Sequence, residues 1–513
     1  MMLCLKMIRS DGLRLCHLLY LNQISKSSVM HKSLHKCQWR KPTGHVRFLS
    51  SQQDSSFRVC VVGSGPAGFY TAQSLLKNNP NVTVDILEKL PVPFGLVRYG
   101  VAPDHPEVKN VVNQFTNLAQ SGRCNFLGNI NIGTDVTVKE LLNGYSAVVL
   151  AYGAASDRRL DIPGEDSEGV ISARNFVGWY NGLPQDSELK PNLNTDTAVV
   201  IGQGNVALDV ARILLTPIEI LQKTDISENA ISALRRSKVK QVYLVGRRGP
   251  LEVSFTIKEL REMVKLPGTK PILDRSDFEG IDKLIPGLPR GRKRLIELLY
   301  KTALQSSNSQ DERLETSQAA WGLKFLRSPL EIIQDQVDQQ VKGVRFAVNT
   351  LQSQDGQTTA VPTGEEEFME CGLVLKSVGY KSIRLDPIVP FDHMKGIIRN
   401  TKGKVDGIQG LYCSGWVKRG AVGVILSSLN DSIETAKTIS EDFTTGHIQH
   451  NNEGKDYLMK LLNNRGVKTV TFTDWLNIDE EERQRGQLQS KPREKISDIT
   501  EMLKIAFRPQ HEK

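Results

Sequence analysis

Two glycine-rich segments are the parts of this sequence best suited to bind phosphate. Residues 63–68 read GSGPAG and residues 202–207 read GQGNVA; each follows an apolar strand pattern and opens a helix pattern. In such a turn, backbone N–H groups at the positive end of the helix bind the pyrophosphate of a dinucleotide. The alanine that closes the second segment is an accepted variant of the third glycine. Glycines here can also serve backbone geometry alone, but the strand–turn–helix context favours two dinucleotide sites.

The strand that follows each segment ends in side chains of opposite charge. Residues 82–87 end at Glu88, 25 residues after the first glycine, and an acid at this point accepts hydrogen bonds from ribose hydroxyls. Residues 241–245 run instead into Arg247 and Arg248, and arginines at this point pair with a 2′-phosphate. The first site therefore fits an unphosphorylated ribose and the second fits NADP. One chain with both sites is typical of a flavoprotein that takes electrons from NADPH.

Positive charge is concentrated at the start of the chain. The 513 residues have a formal net charge of +9, and residues 1–56 hold nine Lys or Arg and two acids, so the rest carries about +2. This nearly neutral remainder excludes a general nucleic-acid-binding surface. The basic head is typical of a mitochondrial transit peptide, with cleavage expected after Leu49, and a disordered cytosolic tail is the alternative. No run reaches the roughly 18 apolar residues that a membrane span needs.

The seven cysteines argue against redox and metal chemistry of their own. They lie at positions 4, 16, 37, 60, 124, 371 and 413, with no CxxC or CxxxxC pair and no metal-ligand spacing. This pattern suits a reducing compartment, and we expect no metal site. A flavin-dependent disulfide reductase would need a cysteine pair beside its flavin. The electrons are therefore expected to leave through an external partner.

Alternating strand and helix patterns predict an α/β fold with two Rossmann-like dinucleotide-binding domains. A strand at 410–416 and a helix opened by 423–429 indicate a return to the first domain, which would make it discontinuous, with the second domain inserted. That helix would direct its positive end at a flavin. The expected boundaries are 1–56 for the transit peptide, 57–155 for the first part of the FAD-binding domain, 156–376 for the NADP-binding domain, and 377–513 for the second part with the C-terminal segment.

Within the inserted domain, the patterns predict a basic helix at 290–300 followed by antiparallel strands over 322–376. The three strand patterns are 323–326, 343–348 and 373–375. The polar stretch 351–366 is expected to be a mobile surface loop.

Longer runs around these motifs resemble the mitochondrial adrenodoxin reductase family of NADPH:ferredoxin reductases. The resemblance extends from about residue 57 to the end of the chain and is more specific than either glycine segment. The family usually reads KRGPTGV where residues 418–424 read KRGAVGV, a departure that affects only side-chain contacts of Ala421 and Val422 at the flavin. The matching runs are 63–72, 91–98, 101–107, 202–212, 246–250, 255–262 and 491–495.

The resemblance implies which residues hold each cofactor. It places His105 and Asp209 near the flavin as candidates for a proton path. Each could instead be structural, His105 as a cap of the following segment and Asp209 as a supporting hydrogen-bond partner. The implied FAD contacts are Ala67, Glu88, Leu96, Ile132, Trp416, Gly423, Val424 and Ile425. The implied NADP contacts are Gln203, Gly204, Asn205, Val206, Arg247, Arg248, Glu259 and Gly423.

The resemblance also implies the electron acceptor. Nicotinamide delivers a two-electron hydride, whereas a 2Fe–2S cluster accepts one electron at a time, and FAD bridges the two. An acidic 2Fe–2S ferredoxin of the adrenodoxin type would dock on Arg261, Arg290 and Arg294, with Arg292 and Lys293 beside them. The same basic cluster could be an ordinary solvated face.

Cellular context follows from the same resemblance. We expect a monomer in the mitochondrial matrix that associates peripherally with the inner membrane. Its ferredoxin would supply mitochondrial cytochrome monooxygenases of steroid metabolism and iron–sulfur cluster assembly. Two alternatives stay open: a flavin monooxygenase, which would consume oxygen as it forms product, and a non-catalytic dinucleotide-binding protein, which would not bleach with NADPH.

Overall fold

The structure, a computed structural model, describes residues 57–306, 317–337, 339–354, 357–423, 425–448 and 453–508. The expected transit peptide 1–56, its cleavage site after Leu49 and the expected FAD contact Val424 lie outside the described residues. The strands are β1 (Phe57–Val62), β2 (Val82–Leu87), β3 (Cys124–Gly128), β4 (Ala147–Leu150), β5 (Ser156–Asp157), β6 (Val170–Ser172), β7 (Thr197–Ile201), β8 (Gln241–Val245), β9 (Thr269–Leu273), β10 (Ala319–Lys324), β11 (Arg327–Gln334), β12 (Val341–Gln354), β13 (Gln357–Glu370), β14 (Leu373–Lys376), β15 (Tyr380–Lys381), β16 (Phe391–Asp392), β17 (Ile397–Ile398), β18 (Asn400–Thr401), β19 (Lys404–Val405), β20 (Leu411–Cys413) and β21 (Val470–Thr471).

The helices connect these strands. In chain order they are α1 (Pro66–Asn78), α2 (Leu96–Tyr99), α3 (Val111–Ala119), α4 (Val138–Gly144), α5 (Ala173–Tyr180), α6 (Asn205–Leu215), α7 (Ile218–Leu221), α8 (Glu228–Leu234), α9 (Ile257–Val264), α10 (Ile281–Leu284), α11 (Arg290–Ser306), α12 (Trp416–Arg419), α13 (Ile425–Thr444), α14 (Lys455–Asn464), α15 (Phe472–Leu488) and α16 (Ile499–Ala506). None of the described helices has the length and apolar character of a bilayer-crossing segment.

The first sheet contains strands from both ends of the described chain. Its order is β18-β19-β20-β4-β1-β2-β3-β21. The central strands β20, β4, β1, β2 and β3 run parallel, and antiparallel strands flank them. β1 is apolar and almost fully buried because helices cover both faces of a parallel sheet.

The second sheet is inserted between these two parts of the chain. Its order is β6-β14-β7-β8-β10-β9, and every pairing in it is parallel. The buried apolar residues of β7 and β8 pack against α6, α9 and α11 in one core. The predicted fold class, two Rossmann-like dinucleotide-binding domains with the first one discontinuous, is confirmed.

The predicted antiparallel strands are wrong in two of three places. Segments 323–326 and 373–375 contribute to β10 and β14, which join the parallel sheet, and only 343–348, within β12, pairs antiparallel. Leu323 and Leu375 are buried on the parallel sheet, which helices cover on its faces. Helix α11 leads the chain to β10 as a crossover connection rather than as part of a hairpin.

The described residues of the polar stretch 351–366 do not form a loop. Residues 351–354 and 357–366 belong to β12 and β13, which pair with each other along most of their length, for example Gln352 with Thr359. The prediction of a loop failed because many side chains of these two strands are exposed, so polar residues occupy strand positions.

Candidate functional site

A cavity of about 1460 Å³ opens at the carboxyl ends of the first sheet and reaches residues of the second domain. This edge of a parallel α/β sheet is where such folds bind ligands. Of the residues predicted to act in function, the cavity is lined by Ala67, Glu88, Leu96, His105, Ile132, Asn205, Val206, Asp209, Glu259, Trp416, Gly423 and Ile425. The structure thus brings members of both predicted cofactor groups to one space, whereas the predicted NADP residues Gln203, Gly204, Arg247 and Arg248 do not line it.

The three glycines of the first turn have different surroundings. Gly63 has φ +108°, and a Cβ atom on it would lie 2.6 Å from the carbonyl oxygen of Ala151. A Cβ on Gly68 would lie 2.0 Å from the carbonyl oxygen of Gly63, so this residue allows α1 to pack on β1. A Cβ on Gly65 would meet no described atom within 4 Å. Gly65 therefore leaves the cavity side of the turn open for a pyrophosphate.

The start of α1 can receive an anion. Gly65 is the residue before its first turn, and no described side chain caps the free backbone N–H groups there. Glu88 stands at the end of the neighbouring β2. Its Oε2 accepts hydrogen bonds from the backbone N–H (3.0 Å) and the hydroxyl (2.6 Å) of Ser64. These contacts fix the Glu88 carboxylate beside the turn, where a ribose would lie.

The second turn repeats this geometry. Gly202 has φ +132°, and a Cβ on it would lie 2.2 Å from the carbonyl oxygen of Ser377. Gly204 precedes α6, and a Cβ on it would meet no described atom within 4 Å. The Gln203 side chain donates to the carbonyl oxygens of Leu244 and Lys324, at 3.1 and 3.0 Å. Because both N–H donors of its amide are used to join strand ends, Gln203 can donate to a phosphate only through its backbone N–H.

Arg247 and Arg248 follow β8 and are exposed. Their carbonyl oxygens accept hydrogen bonds from Asn349 and from the backbone N–H of Leu326, which anchor the backbone. Neither guanidinium forms a hydrogen bond or an ion pair with another described residue. Neither residue lines the cavity, so these arginines lie beyond the second turn, free to pair with a phosphate.

Arg212 of α6 is a buried cation that joins the two halves of the cavity. Its guanidinium contacts carboxylate oxygens of Asp104 (2.8 Å), Asp209 (2.8 Å) and Glu259 (2.9 Å). Burial raises the pKa of Asp209 above its ordinary value, although Arg212 opposes the shift. Burial, together with the charge of Asp209, likewise raises the pKa of Glu259. Burial also acts on Asp104, but the hydrogen bond and charge of Arg212 outweigh it and lower that pKa.

His105 stands at the edge of this cluster. Its Nε2 lies 2.7 Å from Oε2 of Glu262 and 3.1 Å from Nη2 of Arg212. His105, Glu259 and Glu262 could each offer one metal ligand, since these atoms lie within 4.8 Å of one another. Arg212 also contacts both of these carboxylates, that of Glu259 at 2.9 Å and that of Glu262 at 3.6 Å.

The predicted partner residues lie on two neighbouring helices. Arg261 on α9 and Arg290 and Arg294 on α11 are exposed, and none of the three guanidinium groups pairs with another described residue. Arg292 differs: it is half-buried and donates to the carbonyl oxygens of Leu251 and Val253. The structure thus separates Arg292 from the exposed basic residues with which the sequence grouped it.

Sequence reasoning assigned no role to Arg212, Asp104 or Glu262. The spacing of Asp209 and Arg212, three residues apart on a helix, is a signal for an ion pair. No comparable signal links this pair to Asp104, which belongs to the other domain, or to Glu262, whose contact depends on how α9 packs against α6.

The fold and the two glycine turns define an oxidoreductase that binds two dinucleotides, and residues 57–265 match the family described as pyridine nucleotide-disulphide oxidoreductase. Mitochondrial NADPH:adrenodoxin oxidoreductases are similar over most of the chain. The protein of Salvelinus fontinalis is 55% identical, covering 89% of this chain and 92% of its own length, and that of Homo sapiens is 56% identical, covering 89% and 93%. The chain belongs to this family, which confirms the resemblance predicted from sequence.

A solved structure is similar along nearly the same length. Mycobacterium tuberculosis FprA in complex with NADPH is 38% identical, with a TM-score of 0.83, and the match covers 88% of this chain and 100% of that one.

Proposed function

We propose that this protein takes a hydride from NADPH and passes electrons singly to an acidic 2Fe–2S ferredoxin of the adrenodoxin type in mitochondria. The observation that carries the proposal is the pair of open glycine turns with opposite charges at the following strand ends. Gly65 stands beside Glu88, whereas Gly204 is followed by the free Arg247 and Arg248. FAD and NADP(H) are the two cofactors that fit these ends. The membership of the chain in its family supports the same reaction.

The residues present fit FAD at the first turn. Gly65 leaves its side of the turn open, α1 directs free N–H groups to that place, and Glu88 stands where the adenosine ribose would lie. We assign FAD to Ala67, Glu88, Leu96, Ile132, Trp416, Gly423, Val424 and Ile425. We assign NADP(H) to Gln203, Gly204, Asn205, Val206, Arg247, Arg248, Glu259 and Gly423.

Bound FAD would supply the chemistry, because it accepts a hydride and releases electrons one at a time. The shared cavity, which residues of both glycine turns line, would hold parts of both dinucleotides. His105 and Asp209 line that cavity and are our candidates for the proton path. The raised pKa of Asp209 lets this carboxyl keep a proton at a pH at which an exposed aspartate has lost it. Arg212 holds both residues in place.

An external acceptor follows from the cysteines. The four described ones, Cys60, Cys124, Cys371 and Cys413, are buried, and burial raises the pKa of each thiol. They therefore do not act as thiolate electron carriers. Arg261, Arg290 and Arg294 give an acidic partner a free basic surface.

Finer parts of the proposal rest on the family resemblance. We infer that the ferredoxin supplies cytochrome monooxygenases of steroid metabolism and iron–sulfur cluster assembly. We also infer that the protein is a monomer and associates peripherally with the matrix side of the inner membrane.

Changing both Arg247 and Arg248 to Gln in one variant tests the assignment of the second turn. The KM for NADPH should rise by tenfold or more, on the order of the loss of one or two charge-assisted hydrogen bonds, while the KM for NADH changes little. Steady-state kinetics with both nucleotides measures the ratio. The matched control replaces Arg235 and Arg236, another exposed adjacent pair, with Gln. Equal losses for NADPH and NADH would refute the assignment.

A further inference from the structure

Helix α11 presents its three N-terminal arginines in two directions. Arg290 and Arg294 are four residues apart and therefore share one face of the helix, whereas Arg292, midway between them, points elsewhere. The exposures agree with this geometry, since Arg290 and Arg294 are exposed and Arg292 is half-buried. The same helical turn thus carries two outward charges and one inward charge.

The inward charge of Arg292 is fully engaged with backbone carbonyls. Its Nε donates to the carbonyl oxygen of Leu251 at 2.9 Å, its Nη1 donates to that of Val253 at 2.6 Å, and its Nη2 also donates to Leu251. Burial lowers the pKa of Arg292, and the nearby charge of Arg248 lowers it further, while Glu252 opposes both. Arg292 therefore lies close to Arg248, and it forms no ion pair with an acid in the described part of the chain.

The carbonyls that Arg292 holds belong to the segment 249–256, which begins directly after Arg248. The other end of this segment is attached to the second glycine turn. Ser254 donates its backbone N–H to the carbonyl oxygen of Gln203 at 3.1 Å, and Thr256 donates its own to Oδ1 of Asn205 at 2.8 Å. Segment 249–256 consequently spans from the 2′-phosphate arginines to the pyrophosphate turn, with α11 anchoring its middle.

We propose that Arg292 is a positioning residue for the phosphorylated dinucleotide, holding segment 249–256 so that Arg247 and Arg248 keep their place relative to the second glycine turn. The inference rests on the proposed function, because it takes NADP(H) as the ligand of that turn. One turn of α11 then serves two ligands, the ferredoxin through Arg290 and Arg294 and the nucleotide through Arg292.

Titration of the FAD-loaded protein with NADP⁺ and with NAD⁺ tests this role. The change in the flavin spectrum on binding gives each Kd. Arg292→Met should raise the Kd for NADP⁺ by about tenfold, since charged hydrogen bonds that hold the segment are lost. The Kd for NAD⁺ should change by less than about threefold, since the 2′-phosphate contact is the one displaced. Arg294→Met is the matched control, because it removes one positive charge two residues away, and it should change the Kd for NADP⁺ by less than twofold.

Three outcomes would overturn the inference. The first is an unchanged Kd for NADP⁺ in Arg292→Met. The second is an equal change in Arg294→Met, which would indicate the overall charge of the helix instead. The third is equal weakening of NADP⁺ and NAD⁺ binding, which would indicate a general loss of structure.

Arg292→Lys keeps the charge with fewer donors, so it should fold even if the methionine variant does not, and it should give an intermediate Kd for NADP⁺. Wild-type protein that fails to bind NADP⁺ would instead refute the proposed function itself.

Discussion

Glycine shows most clearly how single residues set this site. Gly63 and Gly202 adopt positive φ, and a side chain on either would collide with a neighbouring backbone. Gly65 and Gly204 have negative φ and open space around them, so no described part of the protein requires glycine there. Gly68 has a third role, the close contact of helix and strand. The open pair is explained by a ligand that approaches the backbone.

Alanine at Gly65 should therefore change FAD affinity, whereas alanine at Gly68 should change stability. Gly65→Ala should leave the stability of the apoprotein nearly unchanged and weaken FAD by at least about tenfold, because the methyl group displaces the pyrophosphate. Gly68→Ala should lower the free energy of unfolding by about 2 kcal/mol or more, because its methyl group meets a backbone oxygen that cannot move aside. Thermal unfolding of apoprotein and fluorimetric FAD titration measure the two effects. Loss of stability in Gly65→Ala, with normal FAD affinity, would contradict the assigned role.

Part of the site was readable from sequence because it depends on local order along the chain. The strand–turn–helix pattern predicted the position of Gly65, and the end of β2 predicted that of Glu88, which indeed lines the same cavity. The cluster around Arg212 was not readable, since it requires residue 104 to meet two helices of the other domain. Arg292 was grouped with its neighbours because a run of basic letters does not reveal the direction of each side chain.

At the scale of elements, position in a sheet decides more than the pattern of a strand. β10 and β14 read as parts of a hairpin region, yet both join the parallel sheet through crossover connections. Conversely, the polar β12 and β13 form strands because they pair with each other. Helix α11 shows a related effect, since one turn of it faces both the exterior and the segment 249–256.

The exposed face of α11 gives the partner prediction. Changing both Arg290 and Arg294 to Glu in one variant should raise the KM for a 2Fe–2S ferredoxin by about tenfold or more at low ionic strength. Added salt should reduce this difference. The rate at which NADPH reduces the flavin, measured by stopped flow, separates a docking defect from a damaged enzyme. Arg235→Glu with Arg236→Glu is the matched charge control and should leave the KM for the ferredoxin unchanged. Wild-type ferredoxin kinetics in the α11 variant would refute the docking surface.

At the scale of the molecule, buried charges connect the C-terminal segment to both domains. Lys495 and Lys109 share the carboxylate of Asp225, at 3.0 and 2.6 Å. Glu482 of α15 is fully buried and pairs with Arg98 of α2. These contacts tie the C-terminal segment to both domains.

Lys495 predicts a pH dependence of stability. Burial, opposed by the charge of Asp225, lowers the pKa of Lys495 from 10.5 to about 7. Between these values the unfolded chain binds a proton that the folded protein does not, so the free energy of unfolding should rise with pH, by about 1.4 kcal/mol for each unit of the shift at most. Lys495→Met should lack this rise when unfolding is measured from about pH 7 to 9.5. The exposed Lys437→Met is the control, and parallel curves for wild type and Lys495→Met would contradict the prediction.

Anaerobic addition of NADPH to the purified FAD-loaded protein, followed by a 2Fe–2S ferredoxin, tests the central claim most directly. The flavin absorbance should bleach with NADPH and much more slowly with NADH, and the ferredoxin should then be reduced as the flavin colour returns. Two electrons from each NADPH should reduce two ferredoxins. A flavin that NADPH does not bleach, or that bleaches and passes no electrons to the ferredoxin, would contradict the account.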